Sequence, residues 1–247
     1  MSFQQNIEQL KELRLSAFSE RYDHDQGIPD NQALGFDERL NSYLDAQLHH
    51  NRQMRFERLM RQSKIKYKSA CREHVKYTSA RNLDKSTFDP LFLCEWIKRS
   101  QNIIVCGLTG TGKTYLACAL GVEAIRRDNK VLFIRYPLLV EEMAMARAEG
   151  TIAKYRTKLS KFKVLVIDDW GISPIEPLVR QDLLEIIEAV TNNGSLIITS
   201  QLPISSWHDS IGESTIADAI LDRIVHRSHK FELEGESMRK QGQENKL

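Results

Sequence analysis

IIVCGLTGTGKT (Ile103–Thr114) joins a short apolar run to a glycine-rich octet of the form G-x-x-x-x-G-K-T. The stretch KTYLACALGVEAIRR, with helical character, continues from Lys113. Strand, loop and helix in that order form the context in which such a loop grips phosphate. Gly107, Gly110 and Gly112 permit the tight turns that aim backbone amides at phosphate oxygens, with Leu108, Thr109 and Thr111 completing the cradle. The helix N-terminus adds partial positive charge. In that frame Lys113 reaches the β- and γ-phosphates, and the Thr114 hydroxyl takes one position on Mg²⁺.

Outward from this loop the chain keeps one rhythm. Apolar runs at Ile103–Cys106, Val131–Ile134, Val164–Ile167 and Leu196–Thr199, with a last candidate strand at Lys230–Leu233, alternate with helical stretches. Continuous apolar strands separated by helices predict an α/β fold, a parallel five-stranded sheet with helices on both faces. Residues 102–247 are expected to form this nucleotide-binding domain, and the polar segment within 70–101 to be a connector. Residues 1–69 read as a small all-α domain, with Leu10, Leu13, Leu15 and Phe18 at near-helical spacing, then Leu40, Tyr43, Leu44 and Leu48. DHDQGIPDNQ, with Gly27 and Pro29, separates the two runs.

Composition sets the class. Hydrophobic residues make up 41% and charged residues 28% of 247 residues, ordinary values for a soluble chain. The net charge of +2 hides an asymmetry: Met1–His50 carries nine acidic and four basic residues, Asn51–Arg81 two acidic and ten basic. Cys71, Cys94, Cys106 and Cys118 show neither C-x-x-C nor zinc spacing and read as reduced thiols. MSFQQNIEQL lacks the pattern of a secretion signal, and no apolar run approaches the roughly 18 residues of a membrane span. A cytoplasmic protein with no membrane contact is expected.

The phosphate loop needs a carboxylate partner. VLVIDD ends a strand in Asp168, placed to hold the metal directly or through water, and Asp169, placed as a base for the attacking water. After the LIIT strand, Gln201 can lie between these sites and touch the γ-phosphate, although plain loop polarity fits it too. Arg223 and Arg227 lie in a short helix before the last strand, and Arg239 follows that strand. From spacing alone a solvated surface suits these arginines better than catalysis. Asp168-x-x-Gly171 fits a GTPase pattern, but Asn129-Lys130 runs into Val131-Leu132 rather than the N-K-x-D that reads guanine, so ATP is the expected nucleotide.

GLTGTGKTYLACALG, VIDDWG, LIITSQLPISSWHDSIG and ADAILDRIVHRSHKFELEGESMRK, in that order, resemble the IstB family of insertion-sequence transposition helpers. These are AAA+ ATPases close to the helicase loader DnaC, and the resemblance covers nearly the whole chain. It implies an AAA+ sheet, Walker B roles for Asp168 and Asp169, sensor 1 for Gln201, the arginine finger for Arg223 and sensor 2 for Arg239. It also implies ATP with Mg²⁺, duplex DNA bound largely without sequence preference, a cognate transposase, and a homo-oligomer or helical filament. Asp169 stands where many AAA+ proteins carry Glu, and the shorter acid is expected to slow hydrolysis, with DNA or a partner stimulating it. Only fourteen residues, Glu234–Leu247, follow the last strand, so no C-terminal lid domain is expected.

DNA has two candidate places. Arg52, Arg55, Arg58, Arg61 and Lys64 recur every three residues, a slanted ridge along a helix that suits a phosphate backbone, an acidic partner or plain solvent. Lys154, Arg156, Lys158 and Lys161, around Tyr155, lie between the second and third strands, where DNA-handling relatives such as DnaA carry an extra helix. Either would give salt-sensitive, sequence-tolerant binding. The nearest rival reading is a DnaC-like helicase loader. A small-molecule phosphotransferase would require a lid and an acceptor pocket.

Overall fold

The computed structural model describes residues 3–25, 27–28 and 34–238. They divide into two compact units, Met1–Arg58 and Leu59–Leu247. The division falls inside one long helix rather than at residue 69.

In the first unit α1 (Phe3–Glu12) and α2 (Ser16–Asp25) are followed by α3 (Phe36–Ser63), which runs on past the division. Its small core is aromatic, with Tyr43 buried 5.2 Å from the Phe18 ring and 5.7 Å from that of Tyr22. The Phe18 amide, one of the α2 N-terminal donors with no helical partner, donates to Gln47 Oε1 at 3.1 Å. Helical spacing overstated burial here: Leu13, Leu44 and Leu48 stay 68%, 45% and 50% exposed, since so few helices cannot cover every apolar position. Gly27 lies between the helices, whereas Pro29 lies outside the described residues.

The second unit is built on a five-stranded, all-parallel sheet in the order β2-β3-β4-β1-β5. The strands are β1 (Asn102–Gly107), β2 (Val131–Arg135), β3 (Val164–Trp170), β4 (Ser195–Ser200) and β5 (Ser228–Leu233). Between them run α4 (Lys113–Arg126), α5 (Tyr136–Ala148), α6 (Ile152–Leu159), α7 (Pro177–Thr191), α8 (Trp207–Ile211) and α9 (Ser214–Val225). Proline begins α7 where its missing N–H costs nothing. The two-residue strand period separates the faces. Ile104, Cys106, Leu165, Ile167 and Ile198 join the core under α5, α7 and α9, while Ile103, Val105, Val166 and Ile197 are equally buried on the opposite side.

Two features of this layout set up the site. Strand β4 lies between β1 and β3, so the residue at its end reaches both the phosphate loop and the Asp168 strand. Register also breaks between Ile167 and Trp170, leaving Asp169 in the left-handed region at φ 60°. Such a bulge re-aims a side chain.

The segment expected to be a mere connector is folded onto the core. Phe88, Phe92 and Trp96 are buried, and the Phe88 ring lies 5.0 Å from Phe231 of β5. Asp84 caps the helical turn Lys85–Phe88 by accepting from the Ser86 amide at 3.1 Å. Its apolar residues, Leu91–Cys94 with Trp96 and Ile97 the densest group, follow no helical or strand period, which hides the burial from the sequence. Upstream, Ile65 packs close against Gly121 of α4, which draws residues after Arg58 into the second unit.

Candidate nucleotide-binding site

The phosphate loop leaves β1 at Gly107 and enters α4 at Lys113. Gly110 adopts φ 89°, and a Cβ there would lie 2.2 Å from Ser237 Oγ, so only glycine fits. The Met238 amide donates to Gly110 O at 2.9 Å, laying the segment after β5 across the loop. Lys113, buried at the mouth of α4, donates from Nζ to Gly107 O at 2.7 Å and Leu108 O at 2.8 Å.

Asp168 is 1% exposed at the end of β3. Its Oδ1 accepts from Thr114 Oγ1 at 2.9 Å and Thr199 Oγ1 at 2.5 Å, and its buried Oδ2 has no hydrogen-bond partner among the described residues. Thr199 in turn accepts from the Asp169 amide at 3.1 Å. A spare carboxylate oxygen beside a threonine hydroxyl is a hard-oxygen donor set that fits Mg²⁺. Burial pushes the Asp168 carboxyl above the ordinary carboxylate range; the two threonine hydroxyls oppose the rise and neighbouring Asp169 adds to it.

A carboxyl with a raised folded-state pKa holds its proton more tightly when folded. Its ionisation therefore costs stability, and that cost appears as pH rises through the folded pKa. Asp168→Asn is expected to raise the melting temperature of the metal-free protein near neutrality and to flatten its profile above the ordinary carboxylate range of about pH 4. Thermal unfolding in a chelator checks this, and a variant that melts lower at the upper end would contradict it.

The remaining expected residues divide. Gln201 is brought to the loop, accepting from Thr109 Oγ1 at 2.7 Å. Asp169 is paired with Arg135 at the end of β2, with Nη2 to Oδ2 at 3.0 Å. Arg223 does not line its own cleft: it donates to Ala219 O at 2.9 Å and lies 3.4 Å from Glu188. Arg239 lies outside the described residues. Arg52, Arg55 and Arg58 of the first unit are exposed, as are Arg61 and Lys64 of the second. Lys64 falls just beyond α3, at φ 55°. Lys154, Lys158 and Lys161 are exposed, whereas Arg156 is ion-paired with Glu185.

Other residues in or beside the cleft carried no motif. Thr199 looks like any strand threonine in LIIT. Arg135 meets Asp169 only through strand pairing. The cleft, about 650 Å³, is closed on one side by Tyr67 and Tyr115, whose rings lie 6.2 Å apart, with His74 nearby and Arg81 against the loop.

Sheet order, phosphate loop and strand-end carboxylates define a P-loop nucleotide-binding domain of the AAA+ type. More narrowly, the chain belongs to the family of IstB-like ATP binding proteins, whose model matches residues 8–246. It is 45% identical over 181 residues, 73% of this chain and 74% of the other, to a putative insertion sequence ATP-binding protein, y4pL, of Sinorhizobium fredii. It is 38% identical over 206 residues to the putative ATP-binding protein of insertion sequence IS1162 from Pseudomonas fluorescens, covering 83% and 89%. In fold it is similar to the DnaC helicase loader, with a TM-score of 0.58 at 20% identity over 68% of this chain and 99% of that one. Among the described residues no helix is long and apolar enough to cross a membrane.

Proposed function

We propose that this chain is a Mg²⁺-dependent ATPase of the cytoplasm that assembles with copies of itself on duplex DNA and recruits or stimulates the transposase of its insertion sequence. The observation that carries the reading is the Thr114–Asp168–Thr199 cluster, with its spare carboxylate oxygen, at the foot of a phosphate loop. The relatives' names, insertion sequence ATP-binding proteins, supply the context.

Asp168 and Thr114 would hold Mg²⁺, which when bound neutralises charge on the phosphate oxygens. Lys113 exchanges its two loop carbonyls for phosphate oxygens, a stronger, charge-assisted pairing. Asp169 is the base for the attacking water and becomes competent on leaving Arg135. Gln201, tied to Thr109, couples β4 to the loop that meets the phosphates. Arg223, which does not line its own cleft, completes a neighbour's site, and Arg239 keeps the sensor-2 role of the family. Arg52, Arg55, Arg58, Arg61 and Lys64, and Lys154, Arg156, Lys158 and Lys161, are the DNA-contacting candidates, through phosphates and so with little sequence preference.

Electron microscopy with duplex DNA and ATP, ADP or no nucleotide tests the assembly. Ordered oligomers on DNA with ATP and Mg²⁺, and their loss with ADP, are expected. Solitary protomers in every state would refute the reading. Capture of a replicative helicase rather than a transposase would favour a loader instead.

A further inference from the structure

Among the described residues, Arg81 is the one arginine that is buried, at 6% exposed. It reaches the phosphate loop from the folded segment before β1. Nε donates to Thr111 O at 3.1 Å and Nη1 to Lys76 O at 2.9 Å. Both partners are backbone carbonyls, which satisfy donors without cancelling the charge, and no carboxylate of the described residues pairs with it. Nη2 packs at the end of the loop, where a Cβ on Gly112 would lie 2.5 Å away. The same side chain lines the cleft beside Lys113.

A surface arginine needs no counter-ion, because water screens it. A buried one is costly unless an anion completes it, and a second buried cation nearby raises that cost. Guanidinium keeps its charge at neutral pH even though burial lowers its pKa here. It also offers five donors, so the two carbonyls leave others to spare. Phosphate oxygens are the acceptors that a planar fork fits best.

We infer that Arg81 is a phosphate-binding residue that meets the diphosphate segment shared by ADP and ATP through Nη2, while Nε and Nη1 clamp the loop. The inference rests on the nucleotide-binding reading of the cleft. The choice of diphosphate follows from position. Loop amides take the α- and β-phosphates and the lysine extends to the γ-phosphate, and Arg81 stands at the amide end, by Thr111 and Gly112.

Displacement of a fluorescent ADP analogue by ATP, ADP and inorganic pyrophosphate, with the full chain, tests this in wild type, Arg81→Lys and Arg81→Gln. Arg81→Gln should weaken all three by about tenfold or more, with the ATP-to-ADP ratio unchanged. Arg81→Lys, which keeps the charge but not the fork, should fall between. Thermal unfolding of each variant reports whether it is folded. Wild type that binds none of the probes would defeat the nucleotide reading itself. Wild-type binding with less than about a twofold change in Arg81→Gln would overturn the role of Arg81 alone. A loss as large in Arg81→Lys as in Arg81→Gln, or one that spares pyrophosphate, would also overturn it by showing that packing or base contact is what was removed.

Discussion

Arg223→Ala is expected to lower DNA-stimulated ATP turnover by about 10³- to 10⁵-fold, the range for loss of an arginine finger. That corresponds to about 4–7 kcal/mol of transition-state stabilisation. ATP affinity of the isolated protomer should not change, because Arg223 lies outside its own cleft. Its place on α9 is rigid: Asn102 of β1 donates from Nδ2 to Arg223 O at 2.9 Å and to Ile224 O at 3.0 Å. The helix end is thus tied to the strand that opens the phosphate loop. The side-chain contact to Glu188 is partly exposed and contributes little, so the variant should melt like wild type.

Mixing separates a shared pocket from local damage. Arg223→Ala keeps an intact cleft and Asp169→Asn keeps an intact finger. In a head-to-tail assembly of equal parts, roughly a quarter of the interfaces would pair one with the other and regain activity. Turnover that stays dead on mixing, or an Arg223→Ala protein as active as wild type, would remove the shared site. Either result would leave the assembly reading without its chemical basis.

The legibility of this chain follows the physics of each element. Strands β1 to β4 were readable because a sheet covered on both faces demands unbroken apolar runs, and Ile103, Ile104, Val166 and Ile197 are each fully buried. Lys113, Thr114 and Asp168 could be singled out because a phosphate-loop motif and a strand-end carboxylate stand out in sequence, and the fold brings Thr114 to 2.9 Å from Asp168. Thr199 was not, since a β-branched residue in a strand signals only the strand, and its bond to Asp168 depends on β4 lying between β1 and β3. Arg135 was hidden likewise, because its pairing with Asp169 arises from β2 and β3 register. Arg81 and the buried aromatics before β1 lack any period, and long-range packing alone places them. In the first unit the error ran the other way: spacing marked Leu13 and Leu48 as apolar face, and there is too little protein to cover them.

Asp169→Asn is expected to lower turnover by about 10²- to 10⁴-fold, the span for loss of a positioned base, with ATP and Mg²⁺ binding retained and DNA-bound assemblies longer-lived. The variant isolates chemistry from structure. Asp169 sits at φ 60°, a conformation that aspartate and asparagine both tolerate and longer side chains adopt less readily. A short side chain thus suits the left-handed turn at the break in register. That carboxylate is paired with Arg135, 55% exposed, so the pair is a weak restraint of about 0–1 kcal/mol. Arg135→Ala should therefore raise DNA-independent turnover by no more than about fivefold, while Asp169→Asn with Arg135→Ala should be as slow as Asp169→Asn alone. Single-turnover ATP hydrolysis with and without duplex DNA reads both effects. Asp169→Asn rates within about threefold of wild type would demote the residue to a turn former, and the base would have to be sought elsewhere in the cleft.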